Sequence, residues 1–257
     1  MNLNSRISGV IITYNESANI ERCIKSLEGV VDEVVVVDSN STDDTAAICK
    51  ELGAKVILQP FLGYIEQKNF AMECAEYDYV LSLDADEALS EQLKSEIATL
   101  KQDLKYSAYR FNRLNNYCGK WLKHGHWYPD RKIRLWDKSK YRWAGTNPHD
   151  KVDVQDKSQV KSVNADILHY SYATVSDHID QVNKFARIHA KSAAKIGKRA
   201  SLLIHVSLNP FFKFVKRYFL YLGFLDGYYG FIAAVNSAML NYLKYVYLRE
   251  INKKELN

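Results

Sequence analysis

Residues 33–53, EVVVVDSNSTDDTAAICKELG, decide the fold of this chain because they contain one complete strand-to-helix unit. The run Glu33–Val37 is nearly continuous valine, which is typical of a parallel strand that is buried on both faces. The strand ends at Asp38, after which Ser41 can cap a helix that reaches Gly53. The stretch therefore predicts a buried strand, a polar turn and a helix, in that order.

Strand and helix patterns alternate on both sides of this unit. β-Branched runs bounded by polar residues indicate the strands, and apolar residues at spacings of three and four indicate the helices. The predicted strands are 9–13, 33–37, 55–58 and 79–83, and the predicted helices are 19–27, 43–52, 64–76 and 91–100. This βαβαβαβ order predicts an α/β fold with a parallel, doubly wound sheet and right-handed crossovers.

Beyond the fourth helix the pattern changes to short strand candidates between polar and aromatic loops, which are expected to complete the sheet and to enclose a site. The three candidates cover residues 108–114, 132–136 and 142–146. A helical pattern follows over Val175–Ile196, and two aromatic helical segments come next, divided by glycines within residues 223–230. We therefore expect two regions, an α/β body over 1–175 and a C-terminal helical extension over 176–257.

The composition is that of a folded globular protein with an unevenly distributed charge. Apolar residues make up 47% and charged residues 25% of the 257, which excludes disordered, collagen-like and disulfide-rich miniprotein classes. The net charge is +5, and residues 199–257 alone contain eight basic and three acidic residues. The same 59 residues contain seven of the 18 tyrosines and six of the ten phenylalanines. A neutral body is thus followed by a cationic, aromatic tail.

The cysteines and the N-terminal residues favour a cytoplasmic protein. The four cysteines form no CxxC pair, which predicts reduced packing residues and disfavours a structural zinc site. The first apolar run is short, lies behind polar residues and precedes no small-residue cleavage site, so we expect no signal peptide.

Acidic and amide side chains follow three of the four predicted strands. The strand ends are Thr13–Glu16, Asp38 and Asp84–Glu87, and ligands of open α/β sheets bind at the carboxyl ends of the strands. Asp84 and Asp86 would point the same way from an extended strand end, and two carboxylates suit Mg²⁺ or Mn²⁺. Such a triplet is also common in turns and at helix N-termini. Its position beside the other two strand ends favours a nucleotide and metal site.

The motifs of several common enzyme classes are missing. The chain contains no GxGxxG, GxxxxGK[ST], GxSxG or HExxH sequence, which disfavours dinucleotide-binding proteins, P-loop proteins, α/β-hydrolases and zinc metalloproteases.

Four motifs in this order carry a resemblance to a known family. They are IITYNE at 11–16, VVVVDSNSTDDT at 34–45, QKN at 67–69 and LSLDADE at 81–87. Together they resemble glycosyltransferase family 2, which has the GT-A fold and uses a nucleotide-sugar donor. The resemblance implies a Rossmann-like, mostly parallel sheet flanked by helices, with a catalytic domain over 1–175.

Further segments resemble a narrower subgroup, the small bacterial enzymes that add glucose through a β-1,4 linkage to the heptose of the lipopolysaccharide inner core. The segments are residues 115–134, Asn147–Asp150, Leu168–Ser171 and Gly223–Gly230. This similarity implies a UDP-glucose donor, or a related UDP-hexose, and a lipid-linked, heptose-containing acceptor.

The resemblance assigns donor and metal roles to residues of this chain. The implied donor-binding residues are Thr13, Tyr14, Asn15, Glu16, Asp38, Lys68, Asp84 and Ala85. Lys68 could instead be an exposed helix cation. Asp86 is the implied ligand of Mg²⁺ or Mn²⁺. His169 is a further metal ligand or diphosphate contact, or alternatively a core residue.

The subgroup inverts the anomeric centre, so a base must remove the proton of the attacking acceptor hydroxyl. The candidates for this base are Asp150 and Asp130, with Asp130 alternatively a turn residue after Pro129. For acceptor binding we expect an aromatic loop and a cationic set. The aromatic loop could instead serve packing, and the cations could instead form a solvated strand face. The acceptor candidates are His126, Trp127, Tyr128, Arg131 and Arg134.

The tail predicts a helix at a membrane surface. Within FFKFVKRYFLYL, residues 211–222, the cations Lys213, Lys216 and Arg217 share one helical face among aromatic and aliphatic residues. This pattern is typical of an interfacial helix that binds anionic lipid. Packing on the body or on a dimer partner, and a true membrane span, are the alternatives. Nucleic acid is disfavoured as a partner, and the oligomeric state is left open.

These observations predict an inverting, metal-dependent hexosyltransferase, peripheral or monotopic at the cytoplasmic membrane face. It would use a UDP-sugar, with glucose as the first choice, and act in lipopolysaccharide core or related envelope glycan synthesis. The alternatives are another envelope glycan or a protein as acceptor, or a non-catalytic nucleotide-binding membrane protein on the same fold. A nucleotidyltransferase is disfavoured because no glycine-rich loop with a cation follows the first strand.

Overall fold

The computed structural model describes residues 5–146 and 149–254, so Asn147 and Pro148 of the motif at 147–150 lie outside the described residues. The strands are β1 Ile7–Thr13, β2 Glu33–Asp38, β3 Lys55–Leu58, β4 Tyr79–Asp84, β5 Glu87–Leu89, β6 Ala108–Tyr117, β7 Lys120–Leu122, β8 Asp130–Asp137, β9 Trp143–Thr146, β10 His149–Val152 and β11 Val160–Tyr172. The α-helices are α1 Ile20–Leu27, α2 Thr45–Glu51, α3 Tyr64–Glu73, α4 Glu91–Leu100, α5 Val175–Lys195, α6 Asn209–Val215 and α7 Gly227–Lys254. Two π-helical segments cover Leu202–Leu208 and Lys216–Leu220, and 3₁₀ turns cover Lys157–Gln159 and Gly223–Asp226.

The described residues form two compact units. The first unit contains residues up to Arg113 and the range Arg131–His169, and the second contains Leu114–Asp130 and the residues from Tyr170 onward. The aromatic loop before β8 therefore groups with the C-terminal helices. The division at residue 175 into a catalytic and a membrane-associating region stays a prediction.

A mixed sheet with helices on its faces forms the first unit. The strand order is β3-β2-β1-β4-β8-β6-β11-β5. Neighbouring strands are parallel from β3 to β4, with Val10 opposite Val35, whereas β8 is antiparallel to β4. The predicted α/β fold with a sheet flanked by helices and C-terminal helices is confirmed.

The valine run of β2 explains why this sheet is covered on both faces. Val35, Val36 and Val37 are fully buried. Val36 packs in the layer of α1, α2 and α4, whereas Val35 and Val37 pack in the layer of α3. Because strand side chains alternate between faces, each layer receives its own valines, and each buried valine contributes roughly 1.5–3 kcal/mol to stability. The sheet core therefore holds the carboxyl ends of β1, β2 and β4 at one edge.

Helices dominate the second unit. α5 and α7 pack against each other, and α7 also contacts α6 and the turn Gly223–Asp226. The predicted glycine break lies at this turn, where a Cβ on Gly230 would collide with the Gly223 carbonyl oxygen. In the described part of the chain no single helix is long and apolar enough to cross a membrane. One pair, Leu202–Leu220 with Gly223–Lys253, passes that test only together and is bent by 70°.

A buried polar network joins β6, α5 and α7 in the second unit. The His178 Nδ1 atom lies 2.9 Å from the Tyr117 hydroxyl oxygen and 2.9 Å from the Asn236 Nδ2 atom. The His178 ring also stacks on Tyr172 at 4.3 Å between ring centroids. Burial lowers the pKa of His178 to about 4 because desolvation disfavours the imidazolium. This histidine is therefore neutral in the folded protein at physiological pH.

We expect the second unit to lose stability as the pH falls from about 6.5 to about 4. A histidine with a lowered pKa in the folded state binds protons preferentially in the unfolded state, so acid favours unfolding. A shift from 6.5 to about 4 corresponds to roughly 3 kcal/mol of unfolding free energy. Urea unfolding followed by tryptophan fluorescence between pH 7.5 and pH 4 measures this loss.

The variant His178→Gln supplies the control for that experiment. Glutamine has no proton to bind in this range, so the pH dependence attributed to His178 should disappear even if the variant is less stable at pH 7.5. An unchanged slope in His178→Gln would contradict the assignment.

Candidate active site

Hydrogen bonds fasten the loop after β1 to the loop after β2. The Asn15 amide donates to Ser41 Oγ at 2.9 Å, the Thr42 amide donates to Asn15 Oδ1 at 2.8 Å, and the Glu16 amide donates to Thr45 Oγ1 at 2.8 Å. Asn15 has a φ of 54°, a left-handed conformation that asparagine tolerates better than most residues. The polar residues of the first two strand ends thus form one connected wall.

This wall has a buried carboxyl group and an exposed ring. Asp38 is fully buried and accepts hydrogen bonds from the amide and the hydroxyl of Ser41. Thr13 is also buried, and its hydroxyl has no hydrogen-bond partner among the described residues. Tyr14 is 56% exposed, so its ring is available to stack on a planar ligand. The wall therefore offers a flat apolar face beside hydroxyl groups.

The third strand end places a carboxylate between two cations. Asp84, the last residue of β4, accepts hydrogen bonds from Lys68 Nζ at 2.8 Å and from Arg134 Nη2 at 2.7 Å. Burial alone would raise the pKa of Asp84, but the charges of Arg134 and Lys68 hold that pKa well below its usual value. Asp84 is therefore ionised at physiological pH.

Lys68 connects Asp84 to Asp150. Its ammonium lies 2.8 Å from Asp84 Oδ1, 2.7 Å from Asp150 Oδ2, and 4.5 Å from the centre of the Trp143 ring. The Lys68 side chain is only 6% exposed, so the alternative interpretation as an exposed helix cation is wrong. Lys68 projects from α3 toward the sheet. A helix side chain is therefore part of the group of polar residues at the strand ends.

The residues on both sides of Lys68 fix the position of α3. The Gln67 side-chain amide donates to Ser39 Oγ at 3.2 Å and to the Gln59 carbonyl at 3.1 Å. The Asn69 side chain donates to the Trp143 carbonyl and accepts from the Trp143 amide, both at 3.0 Å. The QKN motif thus ties one helical turn to the residues that follow β2 and β3 and to β9, which explains the fixed place of Lys68.

Arg134 and Glu87 form a buried pair behind Asp84. Arg134 is 3% exposed, so the alternative of a solvated strand face is wrong, and its Nη2 atom also donates to Glu87 Oε1 at 2.7 Å. Its Nε and Nη1 atoms have no partner among the described residues. Arg134 is therefore buried, whereas the sequence predicts an exposed cation that faces the acceptor. The guanidinium lies at the carboxyl edge of the sheet and compensates the charges of two carboxylates.

Glu87 is a site residue that the sequence did not reveal. It is fully buried and accepts from the Asp84 amide through Oε2 at 3.0 Å and from Arg134 through Oε1. The Arg113 Nη1 atom lies 3.4 Å from the same Oε1 atom. The signal in the sequence is the place of Glu87 at the end of the acidic stretch Asp84–Glu87, which assigns it no role of its own.

Asp86 lies beside His169. The prediction that Asp84 and Asp86 point the same way assumed an extended strand end, whereas β4 ends at Asp84, and the buried Ala85 and the half-buried Asp86 form a turn before β5. The Asp86 Oδ2 atom lies 3.2 Å from His169 Nε2, and β11 pairs with β5 so that His169 is opposite Glu87.

The donor set beside Asp86 fits a hard divalent cation with few protein ligands. In the described ranges no three carboxylate, imidazole or thiolate groups converge to hold a metal ion. Asp84 has its charge compensated by two cations, whereas Asp86 contacts an imidazole and forms no ion pair with a lysine or arginine in the described ranges. Magnesium is commonly held by one or two carboxylates together with substrate phosphates. One carboxylate and one imidazole are enough for such a shared site.

Glu16 adds a third carboxyl group to this edge. Burial raises the pKa of Glu16, and the charges of Asp86, Asp43 and Asp84 raise it further. Its Oε2 atom accepts from the Asn19 side chain at 2.8 Å. The repulsion among these carboxylates would fall if a cation bound beside Asp86.

The predicted acceptor residues are distributed between the two units. Arg131 is an exposed residue of the first unit, whereas the loop from His126 to Asp130 belongs to the second unit. His126 is exposed and stacks on Tyr221 at 4.8 Å between ring centroids. Trp127 and Tyr128 are half-buried, and the Trp127 carbonyl accepts from the Asn115 side chain at 2.9 Å. Only His126 and Arg131 therefore have largely solvent-exposed side chains.

Comparison with known proteins adds the family to this geometry. The model of the family described as glycosyl transferase family 2 matches residues 8–155. An uncharacterised glycosyltransferase of Rickettsia typhi is 36% identical over 263 residues, covering 98% of this chain and 89% of that protein. A lipopolysaccharide core biosynthesis glycosyltransferase of Rhizobium meliloti, LpsC, is 27% identical over 243 residues, covering 92% and 89%.

Solved structures give a more distant similarity. The crystal structure of glucosyl-3-phosphoglycerate synthase from Mycobacterium tuberculosis, in complex with Mn²⁺, UDP and glucosyl-3-phosphoglycerate, is 19% identical with a TM-score of 0.49. The match covers 77% of this chain and 82% of that protein.

Proposed function

Because the chain belongs to glycosyltransferase family 2, we propose that it transfers a hexose from a UDP-sugar to a lipid-linked, heptose-containing glycan. The single observation that carries this proposal is the ion-paired series Asp84–Lys68–Asp150 at the carboxyl edge of the sheet. It joins the strand end that would face the donor to a carboxylate that could serve as the base. The distant similarity to LpsC supports an acceptor of the lipopolysaccharide core.

The donor would lie along the wall formed by the first two strand ends. The exposed ring of Tyr14 suits stacking on a uracil base, and the buried Asp38 with the Thr13 hydroxyl suits the polar groups of a nucleoside. Asn15 and Glu16 would position this wall through their links to the second loop. Glucose is our first choice of hexose, on the basis of the subgroup resemblance.

A divalent cation, Mg²⁺ or Mn²⁺, is proposed at Asp86 with His169 as a second ligand. When bound, it would compensate the negative charge that develops on the departing UDP. Lys68 and Arg134 keep Asp84 ionised and fixed, and Asp84 with the buried Ala85 would face the nucleotide side of this site.

Asp150 is proposed as the general base. Lys68 holds its Oδ2 atom, and its Oδ1 atom has no hydrogen bond among the described residues, so one oxygen is oriented and available. The acceptor hydroxyl oxygen would form a bond to the anomeric carbon as the bond from that carbon to UDP breaks. The hydroxyl proton would pass to Asp150 Oδ1. A single displacement of this kind inverts the anomeric centre.

Substitution of the proposed base, Asp150, is the most direct test of these roles. We expect Asp150→Asn to lower the rate of transfer by about 10²- to 10⁴-fold, because the amide cannot accept the hydroxyl proton. The dissociation constant of UDP should change by less than about threefold, since the base contacts the acceptor. Transfer is measured with radiolabelled UDP-glucose, and UDP binding by calorimetry.

Asp130→Asn is the matched control, because the same chemical change is made at the second base candidate. If Asp130 is the base, the effects of the two substitutions will be exchanged, which contradicts the assignment of Asp150. Similar large losses in both variants would require thermal unfolding data to show that each variant is folded.

The activity itself is tested with a panel of UDP-sugars and a purified heptose-terminated core lipid. We expect transfer from one UDP-hexose, dependent on Mg²⁺ or Mn²⁺ and abolished by a chelator. Transfer only to another envelope glycan or to a protein would correct the acceptor. UDP binding without transfer to any acceptor in the panel would favour the non-catalytic alternative.

A further inference from the structure

Large apolar side chains are exposed along the first helical segments of the second unit. Leu203 is 67% exposed, Leu220 is 70% exposed and Tyr228 is 68% exposed. The exposed apolar residues of this segment are Leu202, Leu203, Ile204, Leu208, Phe211, Phe212, Phe219, Leu220, Leu222, Phe224, Leu225, Tyr228 and Phe231. We call residues 202–231 the apolar segment. Thirteen large apolar residues exposed within thirty positions exceed what scattered surface residues explain.

Three cations lie within the apolar segment. Lys213, Lys216 and Arg217 form no ion pair with a carboxylate in the described part of the chain, and Lys216 lies 5.4 Å from the Tyr221 ring centre. Burial, together with the charges of Arg217 and Lys216, lowers the pKa of Lys213. The positive charges are therefore close together and uncompensated by protein anions.

The loop that contains the predicted acceptor residues is fastened to this segment. The Arg217 Nη1 atom donates to the Gly125 carbonyl at 2.7 Å, and the Gly125 amide donates to the Tyr221 carbonyl at 2.8 Å. Nearby, Asp226 accepts from the His124 amide at 2.7 Å and contacts His124 Nδ1 at 2.9 Å. These hydrogen bonds therefore attach the loop 123–128 to the apolar segment.

We propose that the apolar segment docks on the surface of a bilayer containing anionic phospholipid, and that this docking holds loop 123–128 at the level of the lipid head groups. The aromatic and aliphatic side chains enter the acyl region, while Lys213 and Lys216 contact lipid phosphates. This inference rests on the proposed function only for the identity of the acceptor. Docking itself requires no transfer.

The charges favour a membrane over a second copy of this chain. A symmetric dimer through this face would bring the same uncompensated cations toward each other. An anionic bilayer offers phosphates to the cations and an apolar interior to the exposed rings in the same geometry. The bend of 70° between the two helical halves also suits a surface-lying arrangement.

Sedimentation of the full chain with vesicles tests the proposal. We expect binding to vesicles of 70% phosphatidylcholine and 30% phosphatidylglycerol, and at least tenfold weaker binding to pure phosphatidylcholine. The double variant Lys213→Gln/Lys216→Gln should bind the anionic vesicles about 25-fold more weakly, from roughly fivefold per lysine. Phe212→Ser/Leu220→Ser should also lose most of the binding.

Matched variants in the first unit serve as controls. Leu58→Ser/Phe61→Ser removes two exposed apolar residues, and Lys25→Gln/Lys50→Gln removes two surface cations, so both should bind as the wild type does. Equal binding by all variants, or no binding to anionic vesicles at low salt, would overturn the proposal. Dimerisation in solution that Phe212→Ser/Leu220→Ser abolishes, without vesicle binding, would assign the face to a second copy and overturn it as well.

The hydrolysis of UDP-glucose without vesicles separates this proposal from the proposed function. A variant that has lost vesicle binding should keep the basal hydrolysis rate, because residues 202–231 lie outside the donor site. Loss of vesicle binding with normal hydrolysis supports docking by this surface. Normal vesicle binding without any hydrolysis or transfer would contradict the catalytic proposal and leave the docking proposal standing.

Discussion

Replacing Asp86 with asparagine is expected to lower hexose transfer by about a thousand-fold while the protein remains folded. Among the described residues Asp86 contacts the His169 imidazole and forms no ion pair with a lysine or arginine, so its charge is better able than that of Asp84 to attract a divalent cation. Removing one electrostatic group that stabilises a developing charge typically costs 10²- to 10³-fold in rate. Loss of the metal would add to this effect. The rate is measured with UDP-glucose over a range of Mn²⁺ concentrations.

The exposed Asp103 supplies the control for Asp86. Asp103→Asn makes the same change on the surface of the first unit, and its rate should stay within twofold of the wild type. Thermal unfolding of Asp86→Asn should differ little from the wild type, because the side chain is 30% exposed. If Asp86→Asn keeps more than a third of the activity, or if its dependence on Mn²⁺ concentration equals that of the wild type, the metal assignment is wrong.

The second large effect is expected from Lys68→Met. This substitution leaves Asp150 without its ion-pair partner in a site where the lysine is only 6% exposed. Removing one member of a buried ion pair usually costs 3–5 kcal/mol, and we expect about 3 kcal/mol because Asp84 keeps Arg134. Transfer should fall below detection, since Asp150 loses its orientation. Urea unfolding and the transfer assay measure the two effects.

Lys25→Met is the matched control, since Lys25 pairs with Glu21 on the exposed face of α1. Exposed pairs of this kind contribute little to stability, because water and salt screen the two charges. Adding Asp150→Asn to Lys68→Met should recover part of the lost stability, because the uncompensated anion is then removed. A loss of less than 1 kcal/mol in Lys68→Met would show that the ion pair contributes little to the fold.

The sequence was sufficient for the parts of the fold that depend on local patterns. The valine run of Glu33–Asp38 and the polar residues after it predicted β2 and its turn, because burial on both faces requires continuous apolar residues. The same reasoning located Asp84 and Asp38 at one sheet edge, since parallel strands end together. Here the local residue pattern and the rule that parallel strands end at one edge predict the same location.

The site contacts that the sequence did not predict join residues that are far apart in the chain. Arg134 is separated from Asp84 by 50 residues, and its burial depends on β8 lying antiparallel to β4. Trp143 contacts Lys68 only because the Asn69 side chain binds the β9 backbone. Neither contact has a local spacing that a periodicity could detect. The extended strand end assumed for Asp86 is absent for a local reason, because a two-residue turn follows Asp84.

The contact between Lys68 and Asp150 has a consequence for the synthesis of the protein on the ribosome. The two residues are 82 positions apart, so at 5–20 residues per second roughly 4–16 s pass between their additions to the chain. During this interval Lys68 has no second anion, and the proposed base does not yet exist. A chain that is released early therefore lacks the complete site, and activity begins only after β9 and β10 have folded onto α3.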